Sequence, residues 1–236
     1  MRSIPILGHR GYRAKFTENT LEAFEKAIEF GADGIEYDTR LTKDKVPVVL
    51  HDDNLERLSG KNIKLSDITF EELQKIKLDN GQSVPKVEDV LKVLDEPSFL
   101  NLEVKEVEAA IPSYELTKKY NALNRTLFSS FKVDALREIR KIDKDVKLGL
   151  LVDYDSLNNL IDLNKELNFF SLNLWVDKLN ERKLISKAFL RKWRKSGMKI
   201  YLWTLNNPKD LKTFKGLYDG IITDEVELII DSFDSL

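Results

Sequence analysis

The chain has 236 residues, 42% hydrophobic and 33% charged, with 38 Lys and Arg against 40 Asp and Glu and a formal net charge of −2. This is ordinary globular composition, with the two signs interspersed, and it gives no basic field for a nucleic acid backbone and no polybasic patch for a membrane. The absence of cysteine excludes disulfides, thiolate nucleophiles and zinc–thiolate or iron–sulfur sites, so any metal must be held by oxygen or imidazole.

The first residues, MRSIPILGHR, offer too short an apolar run for a signal peptide. No later run approaches the roughly 20 apolar residues of a membrane helix, so a cytoplasmic protein without stable membrane insertion is expected. Single α/β barrels commonly run to roughly 250 residues, which makes one domain the expectation for 1–236.

Short β-branched runs alternate with stretches of helical period. Strands are expected at 4–9, 34–40, 47–51, 99–105, 126–130, 147–152, 169–174, 199–204 and 220–224. That is one strand more than a (β/α)8 barrel needs. The gap between the second and third runs is too short for a crossover helix, so one of them is an added strand or both belong to one unit. Helical patterns return the chain between strands, as at 19–30, entered from Thr17, and at 153–167, where Leu157, Leu160, Ile161 and Leu167 recur at helical spacing. Gly31, Gly197 and Gly216 stand where left-handed residues end helices. Residues 53–85 are longer and more polar than other loops and carry a helix candidate at 69–76, which marks a small insertion after the second barrel unit.

Both histidines of the chain, His9 and His51, end short apolar runs, ILGH and PVVLH, and are followed by Arg10 and Asp52. In a barrel the carboxyl ends of the strands surround the open face where chemistry is done, so two histidines at two such ends can share one site. In the run Gly34 to Asp38, strand alternation sends Glu36 and Asp38 to one face and Ile35 and Tyr37 to the other. Two inward carboxylates ask for a hard cation such as Mg²⁺ or Ca²⁺. A further run places Asn101, Glu103 and Lys105 on one face, adding a third carboxylate and a positive charge suited to an anionic substrate. Smaller signals at strand ends are Ser129-Ser130-Phe131, Trp203-Thr204 and Thr223-Asp224. Trp203 is read as a wall against a substrate's apolar part, Trp175 and Trp193 as packing residues, and Asp224 as a cap of the final helix.

Taken in order, Gly8-His9-Arg10-Gly11, Glu18-Asn19-Thr20, Glu36-Tyr37-Asp38, His51-Asp52, Leu102-Glu103-Val104-Lys105, Trp203-Thr204 and Thr223-Asp224 resemble the glycerophosphodiester phosphodiesterases. The match runs from the first strand to the last. The resemblance implies a TIM barrel with a small insertion after the second histidine, and a metal-dependent enzyme that hydrolyses glycerophosphodiesters to sn-glycerol 3-phosphate and an alcohol. It implies that Glu36, Asp38 and Glu103 bind one divalent cation, Mg²⁺ or Ca²⁺. It further implies that Arg10 and Lys105 hold the phosphate and that His9 and His51 are the acid/base pair. Two departures stand out. Thr17 occupies a position where the family usually has Pro, and Glu225-Val226 replaces a common aromatic-Pro pair; neither removes a chemical group from the site. Glu18 or Asn19 would lie near the metal, and Thr17 with the residues up to Thr20 would cap the first helix.

A phosphodiester repels nucleophiles, so positive charge must gather at its non-bridging oxygens, while one group deprotonates the attacking oxygen and another protonates the departing alkoxide. The attacking oxygen is water or the substrate's own glycerol hydroxyl; the sequence leaves both routes open, with the roles of the two histidines and the oligomeric state. Among rival readings, a lysophospholipase D or sphingomyelinase D-type enzyme on the same barrel would need an apolar surface for acyl chains, whereas 53–85 is mostly polar. A metal-dependent sugar isomerase would leave Arg10 and Lys105 unexplained, and a non-catalytic phosphate-ester binder would have no use for the full set of histidines and carboxylates.

Overall fold

The computed structural model describes residues 2–94, 98–152 and 159–236. Among the described residues nine strands form one sheet: β1 (Ile6–His9), β2 (Gly34–Leu41), β3 (Pro47–Val49), β4 (Phe99–Val104), β5 (Thr126–Ser130), β6 (Lys147–Val152), β7 (Ser171–Trp175), β8 (Lys199–Trp203) and β9 (Gly220–Thr223). Eight of them are parallel and close into a barrel, since β1 pairs with β9 on one side and β2 on the other. The surplus strand is β3, which lies antiparallel on β2, with Thr39 opposite Val49. A parallel neighbour needs a crossover, and five residues between β2 and β3 can only turn back.

Alternation along each strand divides apolar side chains between two cores. Ile35 and Tyr37 of β2 point outward, where Tyr37 meets Phe24 of the helix Leu21–Glu29 with ring centroids 5.9 Å apart. The inner core is small: Leu7, Tyr201 and Ile222, with Phe99, Phe170 and Trp203 against them. Tyr201 stacks on Phe99 at 6.2 Å, and it has room because β9 opens with Gly220, where a Cβ would come within 2.2 Å of its ring.

The first helix begins later than its apolar period suggested. Thr20, not Thr17, is its N-cap, its Oγ1 accepting from the Ala23 N–H at 3.2 Å, while its own hydroxyl donates to the Thr17 carbonyl. Gly31, Gly197 and Gly216 do adopt positive φ after helices. Of the helix expected over 153–167, the structure contains Leu160–Leu167; residues 153–158 lie outside the described residues. Residues following β3 gather around an apolar cluster of their own, in which Leu50, Leu55, Leu65, Leu73 and Val84 are buried. Within them the helix Phe70–Gln74 starts at a capping box of Thr69 and Glu72. Among the described residues no helix is long and apolar enough to cross a membrane.

The charge is balanced over the chain but not along it. The segment 176–195, made of the helices Val176–Glu181 and Lys183–Lys195 with Arg182 between them, carries eight Lys and Arg against two carboxylates, a net of six positive charges within a chain of −2. The expectation of no polybasic patch is therefore corrected, because a whole-chain sum averages over such a segment.

Candidate active site

Register builds the site. His9 at the end of β1 lies opposite Glu36 of β2, Glu36 opposite Asn101 of β4, Asp38 opposite Glu103, and Glu103 opposite Ser129 of β5. All of them point into the barrel mouth because the outward positions are taken by aliphatic and aromatic residues. Beyond His9 the backbone turns through left-handed conformations, Arg10 at φ 54° and Gly11 at φ 84°. At Gly11 a Cβ would stand 2.6 Å from the Ala23 carbonyl carbon, so the turn needs glycine. It carries the Arg10 guanidinium to Glu18 at 2.8 Å and to within 3.4 Å of Asp38. Lys105, just past β4, donates to Glu103 at 2.7 Å and stands 3.4 Å from Asp38.

One carboxylate oxygen from each of Glu36, Asp38 and Glu103 lies within 4.8 Å of the others, and all three residues are buried. Burial, with the neighbouring charges of Asp38 and Glu103, pushes the Glu36 carboxyl well above its ordinary range. Burial and the charge of Asp38 push Glu103 up to about 7. Asp38 is driven up by burial but held down by Lys105 and Arg10, and it remains below the usual range. Asp38 Oδ1 and Asn101 Oδ1 are buried without a hydrogen-bond donor. Hard oxygen donors, mutual repulsion and orphaned acceptors together fit a divalent cation.

Each histidine leans on a carboxylate. His9 Nδ1 lies 2.7 Å from Asp224 Oδ1, and His51 Nδ1 lies 2.7 Å from Asp52 Oδ1. An ionised carboxylate can only accept, so in each ring Nδ1 carries the proton and Nε2 is left to the mouth. His9 Nε2 is 3.9 Å from Glu36. Burial holds His51 below its ordinary pKa, against the pull of Asp38. Asp224 is raised by burial but held low by its bonds with His9 and Asn206.

The two histidine–carboxylate pairs are joined behind the mouth by a chain of ions. Arg57 donates to Asp52 at 2.7 Å and with both terminal nitrogens to Glu18, at 2.7 and 3.0 Å. Arg13 forms an ion pair with Glu18 at 2.9 Å and reaches Asp224 at 3.6 Å. Although burial raises the Glu18 carboxyl, Arg57 and Arg10 bring it down to about 2. Asn19 donates to Asp38 at 2.9 Å.

His9, Arg10, Glu36, His51, Glu103 and Lys105 share one cavity of about 70 Å³, closed on its apolar side by Phe131, Leu151, Trp203 and Ile222. Ser129 Oγ and Trp203 Nε1 on its wall are buried without hydrogen-bond partners. A roomier cleft of about 400 Å³ opens beside Arg40, Lys43 and Lys64, but neither histidine reaches it. Trp203, at the end of β8, lines this cavity. Asp224 is not a helix cap: the final helix runs Val226–Asp234 from Glu225, and Asp224 serves His9. Trp175 is not interior packing either; it is exposed and stacks on Trp203 at 6.0 Å, while Phe131 meets Trp203 edge-on at 5.8 Å. Arg13 and Arg57 carried no signal in the sequence, each being one arginine among many in polar stretches.

A family model described as the glycerophosphoryl diester phosphodiesterase family matches residues 9–228. A glycerophosphodiester phosphodiesterase of Caldanaerobacter subterraneus subsp. tengcongensis is 32% identical over 96% of each chain. The crystal structure of a glycerophosphodiester phosphodiesterase from Thermotoga maritima is 39% identical, covers 98% of this chain and 99% of its own, and superposes with a TM-score of 0.86. A phosphodiesterase of Oleispira antarctica, solved in complex with its product sn-glycerol-3-phosphate, shares the fold at a TM-score of 0.87 and 23% identity, covering 98% and 97%.

Proposed function

We propose a division of labour among these side chains from one premise: the chain belongs to the glycerophosphoryl diester phosphodiesterase family and is an enzyme that hydrolyses glycerophosphodiesters. Glu36, Asp38 and Glu103 hold one divalent cation, Mg²⁺ or Ca²⁺. When bound, that ion supplies positive charge to a non-bridging oxygen of the diester. Arg10 and Lys105, each already beside Asp38, neutralise the rest of the phosphate and the charge that builds as the fifth oxygen joins it.

His9 and His51 act as the acid/base pair. One takes the proton of the attacking oxygen and the other gives one to the departing alkoxide, each through the Nε2 that its carboxylate leaves exposed. Trp203, with Phe131, excludes water from the apolar side of the leaving group. The products are sn-glycerol 3-phosphate and an alcohol. The reading treats 1–236 as one barrel domain with 53–85 as a small insertion, supported by the separate apolar cluster of that segment.

The observation that carries this reading is one cavity lined by two carboxylate-backed histidines, two fixed cations, Glu36 and Glu103, with Asp38 completing the buried carboxylate trio beside it. Its test is release of sn-glycerol 3-phosphate from glycerophosphocholine by the purified protein, with Mg²⁺ or Ca²⁺ titrated against EDTA. Release should require the metal and fall about 10²–10⁴-fold in His9→Ala and His51→Ala. A rate unchanged from the wild type in both variants would remove the acid/base assignment.

A further inference from the structure

The basic segment after β7 sits beside the mouth. β7 runs toward the mouth and ends at Trp175, whose ring stacks on Trp203 of the cavity wall. The helix Val176–Glu181 follows at once, and Lys183–Lys195 then returns the chain toward β8. Its first turn is therefore at the mouth end of the barrel, and that turn presents Leu184 and Ile185 to solvent, 87% and 69% exposed. No other large aliphatic among the described residues is as exposed as either.

Along the same helix Leu184, Ala188, Arg191 and Lys195 recur at intervals that share one face, opposite the buried Ser186, Leu190 and Trp193. Lys178 pairs with Glu181, and Arg194 with Asp219. Among the described residues Arg182, Lys183, Lys187, Arg191, Lys192 and Lys195 make no ion pair.

We propose that this knob docks the barrel mouth onto an anionic lipid surface, with Leu184 and Ile185 entering the headgroup layer and the surrounding lysines and arginines meeting lipid phosphates. Exposed aliphatics ringed by basic residues are the composition of an interfacial helix. A nucleic acid backbone would account for the charge but not for two aliphatics at the tip. A second copy seated two-fold on this surface would set six net positive charges against six. Binding of this kind is peripheral. A glycerophosphodiester is what remains when both acyl esters of a glycerophospholipid are hydrolysed at a membrane. Docking thus holds the mouth where such a substrate is released; that consequence, unlike the docking itself, rests on the function stated above.

The test is co-sedimentation of the full chain with phosphatidylcholine vesicles containing about one-third phosphatidylglycerol, and with phosphatidylcholine alone, at low and high salt. Binding should require the anionic lipid and weaken with salt. Leu184→Ser with Ile185→Ser should reduce it at least about fivefold, and Lys183→Glu with Lys187→Glu at least about 25-fold, at about fivefold per basic residue at an anionic leaflet. Both variants should keep wild-type turnover of soluble glycerophosphocholine and an unchanged melting temperature, since all four side chains are at the surface and outside the cavity. Absence of binding to the anionic vesicles at low salt would overturn the proposal. So would binding that the serine variant retains in full, or a concentration-dependent dimer that the serine variant abolishes; the first would mark a general polyanion patch, the second a contact between copies.

Discussion

Glu36→Gln separates what the three carboxylates do for the reaction from what they do to the fold. Glutamine keeps the shape of the side chain and an oxygen to accept the Arg10 backbone N–H, now 3.1 Å from Glu36 Oε2, but it removes an ionisable carboxyl from a buried trio. Without metal, native Glu36 holds its proton well above the ordinary value of 4.5, whereas the unfolded chain releases it there. A raised carboxyl favours the native state only at low pH, and that favour is lost as pH rises above the unfolded value toward the folded one.

At about 1.4 kcal/mol per pH unit, the ceiling on the loss by pH 7 is about 3 kcal/mol. The variant should therefore melt higher than the wild type in EDTA at pH 7, by up to roughly 5–10 °C for a chain of this size. At pH 5 the ceiling falls below about 1 kcal/mol and the gain should nearly vanish. With saturating Mg²⁺ or Ca²⁺ the order should reverse, because the wild type gains an ion that the variant binds poorly, and turnover of the variant should fall by about 10²-fold or more. Thermal melts at the two pH values, with and without metal, read all of this. A variant less stable than wild type in EDTA at pH 7, or a gain equal at pH 5 and pH 7, would refute the electrostatic account of the site.

Asp224→Asn should lower kcat by about 10²-fold or more with little change in KM, since the amide offers His9 the wrong hydrogen-bond sense; steady-state kinetics on glycerophosphocholine decide it. Glu18→Gln should flatten acid unfolding. The Glu18 carboxyl is held down to about 2, so its stabilisation is complete above its ordinary value of 4.5 and is lost as pH falls toward 2. Urea midpoints at pH 7 and pH 3 should therefore differ less in the variant than in the wild type. Gly11→Ala should destabilise the protein by about 1–3 kcal/mol, through a positive φ and a Cβ pressed 2.6 Å from the Ala23 carbonyl carbon; a chemical denaturation curve measures it.

Strand alternation made most of the site legible. Glu36, Asp38, Asn101 and Glu103 share a face because the period of a strand is two, and His9 and His51 declare themselves by ending apolar runs. The partners of those residues were not legible, for a physical reason. Asp224 meets His9 across 215 positions of chain, and Arg57 meets Glu18 across 39, through a fold that brings first and last strands together. No local period encodes such a contact. Trp175 was misread because a tryptophan ending a strand looks the same whether its ring turns inward or toward the rim. The basic segment escaped because its charge is cancelled by acids elsewhere, and only position at the mouth gives it meaning. The first helix, expected over 19–30 and entered from Thr17, is capped instead at Thr20, because a threonine at 17 or at 20 can cap and the turn after His9 selects the later one.

The ions behind the mouth form a circuit from His51 through Asp52, Arg57, Glu18, Arg13 and Asp224 to His9. Glu18 is its hub, taking three arginines at once. Such a circuit acts as a ratchet on the sequence. Removing one member strands its neighbour as an uncompensated charge, most severely for the buried Glu18, so single replacements are costly where a paired replacement is not. A descendant of this chain that abandoned the circuit would have to change at two or more places together, while the exposed residues around it stay free to drift.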